Sequence, residues 1–320
     1  AVEVGVGRIV IDSLIEIERL NAVAANAGIV QQVFLRLTVG VEAHTHEAIS
    51  TAHEDQKFGL SVASGMAMAA VDNVLECDAL SLAGLHSHIG SQIFDATGFE
   101  LATHRVVDFA VQIKDRHGIS VSELDVGGGM GIAYVDSDDP LDVNTMAKLI
   151  LDIVRTECDR VKISVPKISV EPGRAIIGNP GITLYEVGTV KPVELDSGIT
   201  RHYISVDGGM SDNIRTALYD AEYTAVIANR DSNAKKVLSR VVGKHCESGD
   251  IVVRDIELPA DTRPGDLIAV AATGAYCRSM ASNYNHMPRP AAVSVCAGQS
   301  QVLLRRETIE DLMAFDAGVN

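Results

Sequence analysis

Five short apolar or β-branched runs, at residues 8–11, 33–37, 81–86, 123–126 and 167–170, alternate with helical patterns at 14–26, 63–75, 98–116 and 143–157. Parallel strands need long crossovers between them, so sustained βα alternation dictates a parallel sheet covered by helices. Asp12 or Ser13 is the expected N-cap of the first helix. After about Gly178 the texture changes. Short β-rich runs at 182–190, 202–206, 236–242, 250–256, 267–271 and 292–295 are separated by Gly, Pro and Asp, and a small helix is expected at 307–313. This pattern reads as an antiparallel β-domain. The fold class is therefore α/β plus all-β, with domains at 1–178 and 179–320.

With 320 residues, 47% of them hydrophobic, the chain can bury two sizeable cores. A net charge of −16 argues against general nucleic-acid binding and leaves room only for a local basic pocket. No apolar run reaches the length of a membrane span, and no secretory signal pattern is visible. The five cysteines, at 77, 158, 246, 277 and 296, show neither disulfide nor zinc spacing. That suits a reducing cytoplasm.

The chemistry-bearing residues gather where the parallel strands are expected to end, which is where α/β folds build their sites. The fifth strand runs into Glu171-Pro172-Gly173-Arg174. Its carboxylate can hold a proton on a ring nitrogen, while Gly173 and Arg174 can grip an anion such as phosphate; an ordinary turn is the bland alternative. The fourth strand ends in Asp125-Val126-Gly127-Gly128-Gly129-Met130-Gly131, whose glycines let backbone N–H groups approach an anion. It is not a dinucleotide fingerprint, because the spacing is wrong and no helix follows directly. The third strand ends in His86-Ser87-His88-Ile89-Gly90-Ser91-Gln92. Period-two geometry puts both histidines on one side. They read as a metal pair, as core histidines, or as a ring stacked on a flat cofactor with Ser91 bonding its phosphate. No carboxylate lies near them in sequence.

A polar loop, Glu42-Ala43-His44-Thr45-His46-Glu47 through His53-Glu54-Asp55, carries metal-ligand residue types, but no element fixes their spacing and no metal is assigned to it. In the second half, Asp207-Gly208-Gly209-Met210-Ser211-Asp212-Asn213 leads to Arg215 and Tyr219, and Gly274-Ala275-Tyr276-Cys277 lies further on. Gly243-Lys244-His245-Cys246-Glu247-Ser248-Gly249-Asp250 sets a thiol beside an acid. Cys246 is a candidate low-pKa thiol or proton donor, or simply a buried cysteine.

Taken in order, these motifs resemble the fold-type III pyridoxal-phosphate-dependent decarboxylases, and most closely those acting on diaminopimelate. The resemblance spans essentially the whole chain and includes Val41 to His46, Lys57-Phe58-Gly59, the His-Ile-Gly-Ser-Gln run, the triple glycine, Glu-Pro-Gly-Arg, Cys-Glu-Ser-Gly-Asp and Gly-Ala-Tyr. It implies a partial (β/α)8 TIM-like barrel, from about its fourth strand onward, followed by the β-domain. It also implies that His88 stacks on the pyridine ring, Ser91, Gly128 and Gly129 hold the phosphate, and Glu171 pairs with the ring nitrogen. Arg174 would lie at phosphate and substrate, with Tyr276 between cofactor and substrate. Arg215 and Tyr219 would hold the distal carboxylate, Glu247 the distal ammonium, and Cys246 would return a proton after carbon dioxide leaves. The family's Cys-Glu pair enters a neighbouring subunit's site, which implies a homodimer with shared sites. Relatives acting on ornithine tend to carry Cys-Asp there, so Cys246-Glu247-Ser248 favours diaminopimelate.

One departure stands out. The family anchors its cofactor on a lysine in a Tyr-Ala-x-Lys-Ala type segment at the end of the first barrel strand, and no such segment occurs here. Val39 also stands where the family usually has proline. The chain, beginning at Ala1, is thus expected to lack the first three strands and to be inactive alone. The alternatives are a non-catalytic binding or regulatory homologue, a sibling ornithine or arginine decarboxylase, and an unrelated phosphate-binding barrel.

Overall fold

The computed structural model describes residues 1–41 and 57–318, which fall into two compact units. The polar loop at 42–55 lies outside the described residues. One unit comprises residues 1–132 and 139–175; the other comprises 133–138 and 176–320.

The first unit follows the alternation read from sequence: β1 (Ile9–Ile11), α1 (Leu14–Ala27), β2 (Gln31–Thr38), β3 (Leu60–Ser61), α2 (Met66–Leu75), β4 (Leu80–Ser87), α3 (Thr97–His117), β5 (Glu123–Asp125), α4 (Val143–Val161) and β6 (Lys167–Ser169). The strands pair in parallel in the order β1-β2-β4-β5-β6, with the two-residue β3 added on β2. Sequential neighbours in a parallel sheet are the arc of a (β/α) barrel. Val33, Leu35, Leu85 and Leu124 of the sheet are buried against Ile17, Val71, Phe99, Phe109, Ile113 and Val154 of the helices. In α3 the buried positions Phe99, Thr103, Val106, Val107 and Ile113 recur at helical spacing, so one stripe faces the sheet.

The termini of the helices show how local chemistry fixes the strand ends. Asp142 caps α4, its side chain accepting from Asn144 and Thr145 N–H. The α1 N-cap falls on one of the two residues expected from sequence, but without the expected side-chain bond. Ser13 is the N-cap residue but its side chain caps nothing; Glu16 reaches back to the Asp12 N–H at 2.7 Å. The Asp12 carboxylate is engaged elsewhere, accepting from Gly59 N–H at 2.6 Å. It thereby pins the Lys57-Phe58-Gly59 segment to the end of β1.

A short helix, α5 (Gly173–Ile177), precedes the elements of the second unit: β7 (Thr183–Glu194), β8 (Thr200–Val206), α6 (Arg215–Tyr219), β9 (Ala225–Ile227), β10 (Lys236–Val242), β11 (Ile251–Pro259), β12 (Leu267–Val270), α7 (Cys277–Met280), β13 (Ala292–Cys296), β14 (Gln299–Leu304) and α8 (Ile309–Met313). Six strands form one sheet in the order β11-β10-β8-β7-β12-β9, antiparallel except for the parallel β8–β10 pair. β13 and β14 make a separate hairpin. The fold is thus a partial (β/α) barrel followed by a β-domain. β3, β9 and β14 carry no expected run in the sequence. Two are very short, and β14 (Gln-Ser-Gln-Val-Leu-Leu) lacks alternation.

Candidate cofactor and substrate sites

In the first unit the ends of β4, β5 and β6 deliver their motifs to one place. The loop after β5 is locked between its neighbours: Val126 N–H donates to Ser169 C=O at 3.1 Å, and Glu171 N–H donates to Gly127 C=O at 2.8 Å. A Cβ on Gly128 would lie 2.2 Å from the Glu171 carbonyl oxygen, so only glycine lets these two backbones meet. Gly129 has φ +100° and its carbonyl accepts from Ile93 N–H at 2.8 Å. Its own N–H has no protein acceptor among the described residues. The triple glycine is therefore both a packing device and a source of an available amide.

Around this loop stand the side chains singled out by sequence. Gly128 N–H donates to His88 Nδ1 at 3.3 Å, which fixes the ring and makes Nδ1 the acceptor. Burial, with Arg36 and His86 nearby, lowers the His88 pKa, consistent with a neutral ring. Arg174 is buried, and its Nη2 donates to Ser91 Oγ at 2.6 Å, joining two residues 83 positions apart. Gly173 N–H donates to the Glu171 carbonyl at 2.9 Å, but a Cβ there would meet nothing within 4 Å.

The Glu171 carboxylate is half exposed and lies 3.4 Å from His86 Nε2. His86 itself is buried, and its Nδ1 has no hydrogen-bond partner among the described residues. Asp125, also buried, accepts from Gly127 N–H at 2.8 Å; burial, then the Glu171 charge, raises its pKa. Ligand atoms of His86, Asp125 and Glu171 all lie within 4.8 Å of one another. Sequence offered no carboxylate near His86, yet parallel pairing supplies two. This set suits either a divalent cation or a proton held on a ring nitrogen. With His88, Ser91, Arg174 and the Gly129 amide brought to the same strand ends, the donor set fits the chemistry of a phosphorylated pyridine, offering anion donors for a phosphate and a carboxylate for a ring nitrogen. Lys167 is at the opposite end of β6, 3.6 Å from Glu123.

In the second unit Arg215 is buried at the start of α6, and its Nη1 donates to Tyr223 Oη at 2.5 Å. Its guanidinium carbon lies 5.0, 5.7 and 5.8 Å from the ring centroids of Tyr134, Tyr223 and Tyr276. Aromatic faces stabilise the cation without neutralising it, leaving it competent for a carboxylate. Tyr276 is held at φ +68°, a conformation rare for a bulky residue and typical of functional sites. Tyr219 is exposed, and among the described residues no side-chain hydrogen bond or ring contact joins it to Arg215, one helical turn before it. Cys246 and Glu247 sit on an exposed turn, with Tyr284 Oη donating to Glu247 Oε1. Tyr134 and Tyr223 were not legible as site residues: neither lies in a motif, and only tertiary packing sets them against Arg215.

Residues 1–178 match the family model described as "Pyridoxal-dependent decarboxylase, pyridoxal binding domain". The diaminopimelate decarboxylase of Mycobacterium leprae is 58% identical over 320 residues, covering 99% of this chain and 68% of its relative. That of Mycobacterium tuberculosis is 59% identical, covering 99% and 72%. A crystal structure of diaminopimelate decarboxylase from M. jannaschii in co-complex with L-lysine superposes with a TM-score of 0.89 at 33% identity, over 99% of this chain and 71% of that one. Parallel-sheet site, β-domain and these likenesses agree, and the chain belongs to the fold-type III pyridoxal-phosphate-dependent decarboxylases, in the diaminopimelate decarboxylase branch of that family of carboxy-lyases.

Proposed function

We propose that this chain carries the cofactor bed and substrate-recognition groups of an enzyme that converts meso-2,6-diaminopimelate to L-lysine and carbon dioxide. The observation that carries the proposal is the meeting of His88, Ser91–Arg174, the triple glycine and Glu171 at three adjacent strand ends. Bound there, pyridoxal phosphate supplies the sink for the electron pair left when carbon dioxide departs. The Glu171 carboxylate would hold a proton on the ring nitrogen, with His86 Nε2, 3.4 Å away, orienting the carboxylate. His88 covers one face of the ring. Ser91, Arg174 and the Gly129 amide would receive the phosphate, while Gly128 and Gly173, whose amides donate to His88 Nδ1 and to the Glu171 carbonyl, shape the loops around it.

Arg215, braced by Tyr223, holds the distal carboxylate, with Tyr219 assisting, and Glu247 holds the distal ammonium. A substrate bearing both charges at its far end needs one group of each sign. Tyr276 would lie between cofactor and substrate, and Cys246 would return a proton to the carbon that lost carbon dioxide. Residues 1–178 serve as cofactor domain and 179–320 as substrate domain of a cytoplasmic homodimer with shared sites. Lysine bound in the M. jannaschii relative has the product's chemistry. Among the described residues no helix is long and apolar enough to cross a membrane.

The test is carbon dioxide release with pyridoxal phosphate and meso-diaminopimelate, alongside ornithine and arginine, using the enzyme that contains this chain. Lysine formation supports the reading. Turnover of ornithine or arginine without turnover of diaminopimelate overturns it in favour of a sibling decarboxylase, and pyridoxal phosphate binding without any turnover overturns it in favour of a non-catalytic homologue.

A further inference from the structure

One buried carboxylate in the second unit is not explained by substrate recognition. Asp250 is 3% exposed and has no cationic side-chain partner among the described residues. Its Oδ1 accepts from Met210 N–H at 2.6 Å and its Oδ2 from His245 N–H at 2.7 Å. Its backbone closes the same turn: Asp250 C=O accepts from Gly243 N–H at 3.0 Å, and Asp250 N–H donates to Glu247 C=O at 3.1 Å. The carboxylate is enclosed so tightly that a Cβ on Gly209 would fall 2.5 Å from it, and one on Gly243 2.2 Å. A burial this complete is costly for a charge unless the amides it joins must be held together.

What it joins is informative. Residues 207–213 run directly into Arg215, whose N–H donates to Asn213 Oδ1 at 3.2 Å. On the other side, Cys246 and Glu247 are exposed between buried His245 and Asp250. A second link runs in parallel: His245 Nε2 and Ser211 Oγ are 2.9 Å apart, with Asn285 donating to Nδ1 at 3.3 Å.

We infer that Asp250 is a positioning residue for the Cys246–Glu247 turn, fixing it against the segment that carries Arg215. The functional consequence rests on the roles proposed for Cys246, Glu247 and Arg215; the mechanical one does not. The Tyr284 ring packs against His245, 5.3 Å between centroids, but its hydroxyl bonds only the Glu247 carboxylate, so removing the hydroxyl and removing the Asp250 tether separate experimentally. Loss of the Asp250 tether moves thiol and carboxylate together, whereas loss of the Tyr284 hydroxyl moves the carboxylate alone.

The experiment uses the holoenzyme in a Cys77→Ser, Cys296→Ser background, so that Cys246 is the accessible thiol among the described residues. Asp250→Asn is expected to change the rate of Cys246 alkylation by iodoacetamide at least about threefold. It should also lower kcat and raise KM together by about tenfold each, while Tyr284→Phe raises KM alone. An Asp250→Asn enzyme whose alkylation rate, kcat and KM stay within twofold of the parent overturns the inference. Should the Asn variant not fold, Asp250→Ser, a smaller side chain that removes both carboxylate acceptors without setting an amide donor against the Met210 and His245 N–H groups, is measured in the same way, and the same unchanged values overturn the inference. Failure of the proposed roles is distinguishable: Cys246→Ala would retain full turnover, while the alkylation arm would still report whether Asp250 holds the turn.

Discussion

Replacing Gly128 by alanine tests whether the triple glycine is there for backbone contact. The added methyl would sit 2.2 Å from the Glu171 carbonyl oxygen, and ordinary contact begins near 3.4 Å, so one backbone must retreat by about 1 Å. It cannot do so freely, because Gly127 C=O holds the Glu171 N–H at 2.8 Å and Val126 is tied to Ser169. Overpacking of this kind costs about 1–3 kcal/mol. For a unit of this size that lowers the melting temperature by roughly 2–10 °C. The retreat also carries the Glu171 carboxylate with it, and a positioned group misplaced by 1 Å can lose up to about 100-fold. Pyridoxal phosphate titration followed by absorbance should show at least about tenfold weaker binding. Gly131→Ala is the internal control: its methyl meets the ring of half-buried Phe94, which can swing aside, so stability and binding should change less. A Gly128→Ala protein that melts with the parent and binds pyridoxal phosphate equally well would refute the reasoning.

Glu171→Gln, which keeps shape but loses the charge that holds the ring-nitrogen proton, should lower kcat about 100-fold in a carbon dioxide release assay while the protein still binds pyridoxal phosphate. Tyr223→Phe removes the Arg215 Nη1 bond and should raise KM for diaminopimelate about tenfold, with kcat little changed in steady-state kinetics. Glu307 accepts from Arg289 N–H, the Arg289 guanidinium and Asn283, which hold its carboxyl at about 2, below its ordinary 4.5. Its folded pKa is depressed, so its contribution is complete above about pH 4.5 and is lost as pH falls toward 2. In acid titrations followed by circular dichroism, Glu307→Gln should be less stable at pH 7 and converge with the parent near pH 2.

The first unit was legible because its signals are local. Each strand except the two-residue β3 is a short run visible in the sequence, and each long helix has a buried stripe. The cofactor residues follow their strands by a few positions, so β-sheet register alone brings His88, Gly128 and Glu171 together. The second unit was less legible because its site is made by long-range packing. Nothing in the sequence around Tyr134 or Tyr223 shows that their rings meet edge to face, 5.3 Å apart, beside Arg215. The parallel β8–β10 pair was equally hidden, since a strand's sequence does not state the direction of its neighbour. Of the two caps the sequence offered, the position falls to Ser13, and the Asp12 carboxylate is drawn away for a related reason: it accepts from Gly59, 47 residues on.

Residues 133–138 belong to the second unit although the chain around them belongs to the first. There the Tyr134 carbonyl accepts from both the N–H and the hydroxyl of Thr224, at 3.1 and 3.0 Å, and its ring forms one wall of the Arg215 site. The chain therefore passes between the units three times, and a gene fragment starting at residue 176 would encode a β-domain with a hole in it. During synthesis the hexapeptide emerges before most of the unit that will receive it, so that unit cannot complete its cooperative core from its own contiguous sequence. Engineering that swaps substrate domains between relatives should move residues 133–138 along with the C-terminal half, or the transplanted guanidinium will lose an aromatic neighbour.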